Sequence, residues 1–241
     1  MRGHLMRDIQ TSDVSIPSGD VTLDGILSVP EESTGVVAFA HGSGSSRFSR
    51  RNREVAAVLQ QAGLATLLFD LLTGDESIQD AETGLYRFDI PLLARRLIDT
   101  IDWLKALPAT ATFDVGLFGA STGAAAALIA AAARPERVRA VVSRGGRPDL
   151  ADAALARVHV PTLLIVGAWD TEVIELNETA ARRLACEHRV FLVPRATHLF
   201  EEPGALEEVS RLATAWFSLY LPHATVDASC DNRITKNPQS R

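Results

Sequence analysis

One serine stands out by its surroundings. In the stretch Gly116-Leu117-Phe118-Gly119-Ala120-Ser121-Thr122-Gly123-Ala124-Ala125, Ser121 is the centre of a G-x-S-x-G pattern. A serine hydroxyl is a weak nucleophile and needs an adjacent base, oriented in turn by an acid. Two residues further along could fill those roles: Asp170, in Gly167-Ala168-Trp169-Asp170, and His198, in Pro194-Arg195-Ala196-Thr197-His198. Of the orders in which such a triad occurs, Ser then Asp then His goes with an open α/β sheet. The chemistry expected is acyl transfer to water, with Ser121 attacking a carbonyl, His198 moving the proton and Asp170 orienting the imidazole. Glu172 and Glu175 are weaker candidates for the acid, because they fall near a helix start, where acids often serve the dipole.

A tetrahedral intermediate also needs donors for its oxyanion. His41-Gly42-Ser43-Gly44-Ser45-Ser46-Arg47 follows an apolar run and is the expected source of one backbone N–H, from Ser43. The residue after the nucleophile, Thr122, supplies the other. His41 reads as a structural hydrogen-bonder rather than a second base. No Gly-Lys-Ser/Thr follows, so the loop is not a nucleotide-phosphate loop. Arg47, Arg144 and Arg147 fall at the same rim and could hold a substrate carboxylate or phosphate. The competing expectation is that they pair with Asp70, Asp149 or Asp170, or face solvent. Leu72 and Trp169 are candidate pocket walls, with Tyr86 and Phe88 beside Leu72.

These residues require elements that bring them to one edge. Gly35–Ala40 and Ala65–Phe69 are continuous apolar runs, as in strands buried on both faces. Val115–Phe118, Val138–Val142, Thr162–Val166 and Val190–Val193 are further strands, and Val14–Ile16 and Val21–Ser28 form a hairpin around Pro17-Ser18-Gly19-Asp20. Helical periodicity marks 51–63, 91–105, 121–133, 174–184 and 206–221. Strands alternating with helices predict a mostly parallel sheet covered on both faces, in one domain over residues 1–222. Leu71–Phe88 reads as a polar loop, and residues 223–241 as an aperiodic, disordered tail.

Composition narrows the function. Hydrophobic residues make up 46% and charged residues 22% of 241 residues, ordinary for a globular domain. The formal net charge of −6 argues against a nucleic-acid or anionic-membrane footprint. The start, MRGHLMRDIQTSD, has no apolar signal-peptide core, and no run is long enough to span a membrane. A cytoplasmic protein without membrane or nucleic-acid partners is expected, with monomer and homodimer both open. Cys186 and Cys230 are not expected to pair.

With elbow, acid, base and His-Gly turn in place, the chain resembles the α/β-hydrolase superfamily from about Gln10 to Leu221. HGSGSSR, LATLLFDLLT, RFDIPLLARRL, SRGGRPDLA and THLFEEPGALEEV are similar to dienelactone-hydrolase-like proteins, a subgroup sometimes fused to phosphoribosyltransferase domains. The resemblance implies the α/β-hydrolase fold, an eight-stranded mostly parallel sheet, and a Ser-His-Asp hydrolase with no metal or cofactor. One residue departs from it: true dienelactone hydrolases use a cysteine nucleophile, and here Ser121 stands in its place. That points away from dienelactone and toward a serine esterase. The elbow has no Asp, which excludes dehalogenase and epoxide-hydrolase chemistry. Lipases insert a lid before the acid-bearing strand, but Val142 to Thr162 leaves room for only one short helix, near Leu150–Ala156. Without a substantial cap, small or short-acyl esters are the expected substrates. Lactone, thioester and amide hydrolysis, and cofactor-free perhydrolysis, use the same constellation. A non-catalytic ligand-binding or regulatory domain would predict a damaged triad, whereas all three members are present.

Overall fold

The structure, a computed structural model, describes residues 8–221. Eight strands form one sheet in the order β1-β2-β4-β3-β5-β6-β7-β8. The hairpin comprises β1 (Ile9–Ser18) and β2 (Val21–Pro30), and β2 continues antiparallel onto β4 (Ala65–Phe69). From β4 outward the pairings are parallel: β3 (Gly35–Ala40), β5 (Asp114–Ala120), β6 (Val138–Arg144), β7 (Thr162–Gly167) and β8 (His188–Val193). The mostly parallel, eight-stranded sheet expected from the sequence is present.

Helices cover both faces because alternate strand residues point to opposite sides. Val36, Ala38 and Ala40 of β3 belong to one core, and Val37 and Phe39 to the other. The first core is closed by α3 (Ile90–Ala106), α4 (Thr122–Ala133) and α5 (Thr171–Ala181), through Leu93, Leu97, Ile101, Leu128 and Ala180. The second is closed by α1 (Arg50–Gln61) and α6 (Ala205–Tyr220), through Val55, Leu59, Val209 and Phe217. In α4, Ala124–Leu128 are all buried. Alanine is the best helix former, and its small side chain lets α4 lie close against the sheet.

Several boundaries differ from the sequence expectation. Strand β1 runs well beyond Val14–Ile16, and Pro17 pairs with Thr22, so the hairpin turns on Gly19 and Asp20 alone. The stretch 71–88 is not all loop: α2 occupies Gly74–Thr83. Its signal was a capping box. The Thr73 hydroxyl accepts from the Glu76 N–H, and the Glu76 carboxylate accepts from the Thr73 N–H, which satisfies two orphan donors. Only Asp80 of α2 is buried, so no apolar period announced the helix. The short helix expected near Leu150–Ala156 is a 3₁₀ segment over Pro148–Arg157, broken at Asp152 with φ 39°. The expected tail at 223–241, and Cys230 within it, lie outside the described residues, as do residues 1–7. No described helix is long and apolar enough to cross a membrane.

Candidate active site

Ser121 follows β5 directly and precedes α4, with φ 50° and ψ −122°. A non-glycine residue in this region costs about 1–3 kcal/mol and persists only where its surroundings fix it. The surroundings are specific. The Ser121 N–H donates to Arg144 O at 3.3 Å, and its carbonyl accepts from the Arg147 N–H at 3.0 Å. A Cβ on Gly123 would lie 2.1 Å from Ala40 O, and one on Gly119 would lie 2.5 Å from Ala124 Cα. The glycines therefore answer to close backbone approach on both sides of the turn.

The acid and base arrive from the neighbouring strand ends. Asp170 stands at the N-cap position of α5 after β7, with no capping bond from its side chain, and His198 lies in the loop after β8. His198 Nδ1 and Asp170 Oδ2 are 2.7 Å apart, so Nδ1–H donates to the carboxylate and leaves Nε2 free to take a proton. The two loops are tied together, with the Trp169 N–H donating to Ala196 O and the Ala168 N–H to Val193 O, both at 2.9 Å. Around His198 the backbone is held in unusual conformations at Arg195 (φ 60°) and Phe200 (φ 55°). Phe200 is 1% exposed and anchors the loop in the second core. Ser121 and His198 line one cavity of about 250 Å³, together with Ser43, Arg51, Arg144 and Leu199.

The expected oxyanion donors lie side by side. Ser43 Oγ and Thr122 Oγ1 are 3.0 Å apart, and a Cβ on Gly42 would come within 3.0 Å of Ser121 Cβ. Thr122 opens α4, so its N–H has no acceptor within the helix. The loop carrying Ser43 is braced from α2: Ser43 Oγ donates to Arg87 O at 3.2 Å, and Arg87 Nε donates to Asp80 Oδ2 at 2.7 Å. His41 is held as a neutral ring. Its Nδ1 bonds Gly42 O and its Nε2 accepts from the Leu71 N–H, both at 3.0 Å, while burial lowers its pKa.

The three candidate arginines part company. Arg47 donates from its backbone N–H and its guanidinium to Asp70, and reaches Asp24 at 3.4 Å. Arg147 forks onto Asp149 at 2.9 and 2.8 Å. Only Arg144 lines the cavity with Ser121. Leu72 lines a second cavity of about 290 Å³ beside the Ser43 loop. Trp169 is 60% exposed, as is Phe88 at 63%, and Tyr86 bonds Gln79 at 2.9 Å. Sequence reasoning missed Arg51 and Asn52 as cavity residues. The signal was there, in a helix that begins Arg50-Arg51-Asn52-Arg53.

Sheet order, strained elbow and bonded acid-base pair together define an α/β hydrolase. Residues 23–220 match the model of the dienelactone hydrolase family, and the chain belongs to that family. It is 59% identical to the dienelactone hydrolase of Anabaena variabilis, whose crystal structure it matches with a TM-score of 0.87, covering 88% of this chain and 99% of that one. A Mycobacterium tuberculosis protein provisionally named a phosphoribosyl transferase is 56% identical over 209 residues, 87% of this chain but 46% of the relative. The chain thus spans about half the length of the curated relatives it matches. Est1E from Butyrivibrio proteoclasticus shares the fold at 17% identity and a TM-score of 0.71, covering 86% of this chain and 97% of that one. As a member of this family, the chain has the α/β-hydrolase fold.

Proposed function

We propose that the protein hydrolyses small or short-acyl carboxylic esters through a Ser121-His198-Asp170 acyl-enzyme mechanism. The observation that carries this reading is the 2.7 Å His198–Asp170 bond at the rim of the cavity lined by Ser121. Ser121 Oγ attacks the ester carbonyl carbon as His198 Nε2 takes its proton, and the carbonyl electron pair moves onto oxygen. The N–H groups of Ser43 and Thr122 receive that oxyanion. Collapse expels the alcohol oxygen, which takes the proton from His198, and leaves the acyl group on Ser121. Water then attacks, giving its proton to His198. The second collapse releases the carboxylic acid and returns the proton to Ser121.

The short-acyl preference is supported by the single 3₁₀ segment between β6 and β7, which builds no large apolar roof. Labelling with a fluorophosphonate and mapping the adduct by mass spectrometry tests the mechanism. The adduct is expected on Ser121 and is expected to vanish in His198→Ala. Labelling elsewhere, or labelling that persists in that variant, overturns it. A 4-nitrophenyl ester series from acetate to dodecanoate tests the substrate size, and a rise in kcat/KM toward the long chains would contradict it.

A further inference from the structure

The cavity at Ser121 carries positive charge that the protein around it does not neutralise. Arg144, the last residue of β6, pairs in register with Ala120 and is 8% exposed. Its Nη2 donates to Asn52 Oδ1 at 3.4 Å, and its Nε is buried without an acceptor. No carboxylate pairs with it among the described residues. Burial, and then the charge of Arg51, lower its pKa to about 10, so it is still protonated at neutral pH. A buried cation without a counter-charge is strongly unfavourable unless something else supplies one.

Helix α1 points to the same place. A helix N-terminus is positive, so acids stabilise it and cations do not. Helices α2, α5 and α6 obey this, opening with Asp75 and Glu76, with Glu172, and with Glu207 and Glu208, whereas α3 and α4 carry no acid there. Helix α1 has no acid in its first turn, which reads Arg50-Arg51-Asn52-Arg53 after the Ser49 cap. Ser49, Arg51 and Asn52 all line the cavity that Ser121 and Arg144 line. Arg51 Nη1 reaches Glu201 at 2.8 Å, yet its Nε is also buried without an acceptor. In the neighbouring 290 Å³ cavity the arginine present, Arg87, is already bonded to Asp80.

We propose that Arg144, Arg51 and the N-terminus of α1 form an anion subsite of the Ser121 cavity, so that preferred substrates are esters bearing a carboxylate or phosphate group. This rests on the esterase reading above and names the class of ester. Asn52 holds one arm of the Arg144 guanidinium, and Nε and the remaining N–H groups are left to grip oxygens of the anion. The helix N-terminus adds donors and a favourable field.

Two matched ester pairs test the subsite. Mono-4-nitrophenyl glutarate against 4-nitrophenyl pentanoate puts the charge on the acyl side, and 4-acetoxybenzoate against 4-methylphenyl acetate puts it on the alcohol side. In at least one pair the anionic ester should be favoured in kcat/KM by about tenfold or more. Arg144→Gln should cut that ratio about tenfold, chiefly through KM, since tenfold corresponds to one strong charged contact. Arg51→Gln, on a partly exposed side chain, should lower the same ratio and supplies the reading without disturbing the core. Arg134→Gln removes the same charge at the opposite end of α4 and should leave the ratio alone. No anionic preference in either pair, or a preference unchanged in both cavity variants, overturns the subsite. Binding of inorganic phosphate to Ser121→Ala protein, measured by calorimetry, needs no turnover. Phosphate bound there and lost in Ser121→Ala/Arg144→Gln sustains the subsite even if no ester is cleaved, whereas failure of every ester sinks the esterase reading alone.

Discussion

Two buried arginines are treated in opposite ways. Arg96, in α3, is 3% exposed and forks onto Glu76 at 2.6 Å through both terminal nitrogens, with a further bond to Leu71 O at 2.6 Å. Arg144 is nearly as buried but has one long bond to a neutral amide and an orphaned Nε. Arg96 ties α2 to α3 and so fixes the segment that braces the Ser43 loop. The Arg144 guanidinium reaches only Asn52 and the face of the Phe200 ring, 5.9 Å from its centre. A satisfied buried charge serves the fold, and an unsatisfied one beside Ser121 is available to a ligand.

The contrast depends first on the Arg144 cavity being where bonds are made and broken. Ser121→Ala is expected to lower kcat by about 10⁴–10⁶-fold, read with 4-nitrophenyl acetate. Turnover near the wild-type level would remove the catalytic cavity from the comparison. The next largest effect concerns Arg96. Glu76→Ala strands its guanidinium and removes half of the capping box of α2, and should cost about 3–5 kcal/mol in urea unfolding. That cost should depend on pH. The hydrogen bonds from Arg96 hold the Glu76 carboxyl below its ordinary value despite partial burial. The stabilisation is therefore full above the ordinary carboxylate range and fades as pH falls through the lower folded value. The stability gap between wild type and Glu76→Ala should shrink from pH 7 toward about pH 3, and a constant gap would deny the ion pair its role.

Arg144→Met sharpens the contrast from the other side. Removing a buried charge that lacks a partner should leave stability unchanged or raise it, by up to about 4 kcal/mol. A loss as large as that of Glu76→Ala would make Arg144 a tether like Arg96. The smallest effect belongs to Arg147, whose pair with Asp149 is partly exposed. Arg147→Gln should alter unfolding free energy by about 0.5 kcal/mol or less, and a larger loss would mean that the pair holds the turn after β6.

Much of this was legible in the order of residues. GVVAFA and ATLLF are buried throughout, and continuous apolar runs of that length have few other uses. The elbow was legible because two glycines and a serine at fixed spacing describe one tight turn. Asp170 and His198 were legible because each follows a strand at the same rim. Helix α2 was not, since it buries a single residue and its evidence was a cap rather than a period. Nor were the fates of the arginines. Arg47, Arg96, Arg144 and Arg147 look alike along the chain, and several acids lie within reach of each in sequence.

Alternating apolar runs, helical periods and turn chemistry set the sheet, the elbow and the strand ends that carry Asp170 and His198, because each of those patterns is written within a few residues. Whether a given arginine is neutralised depends on residues brought from far away. Asp70 lies 23 positions from Arg47, Glu76 lies 20 from Arg96, and Asn52 lies 92 from Arg144. Packing delivers a carboxylate to the first two, and to the third an amide and the face of the Phe200 ring. That difference leaves one buried cation open beside Ser121, and it arises from which surfaces the fold presses together.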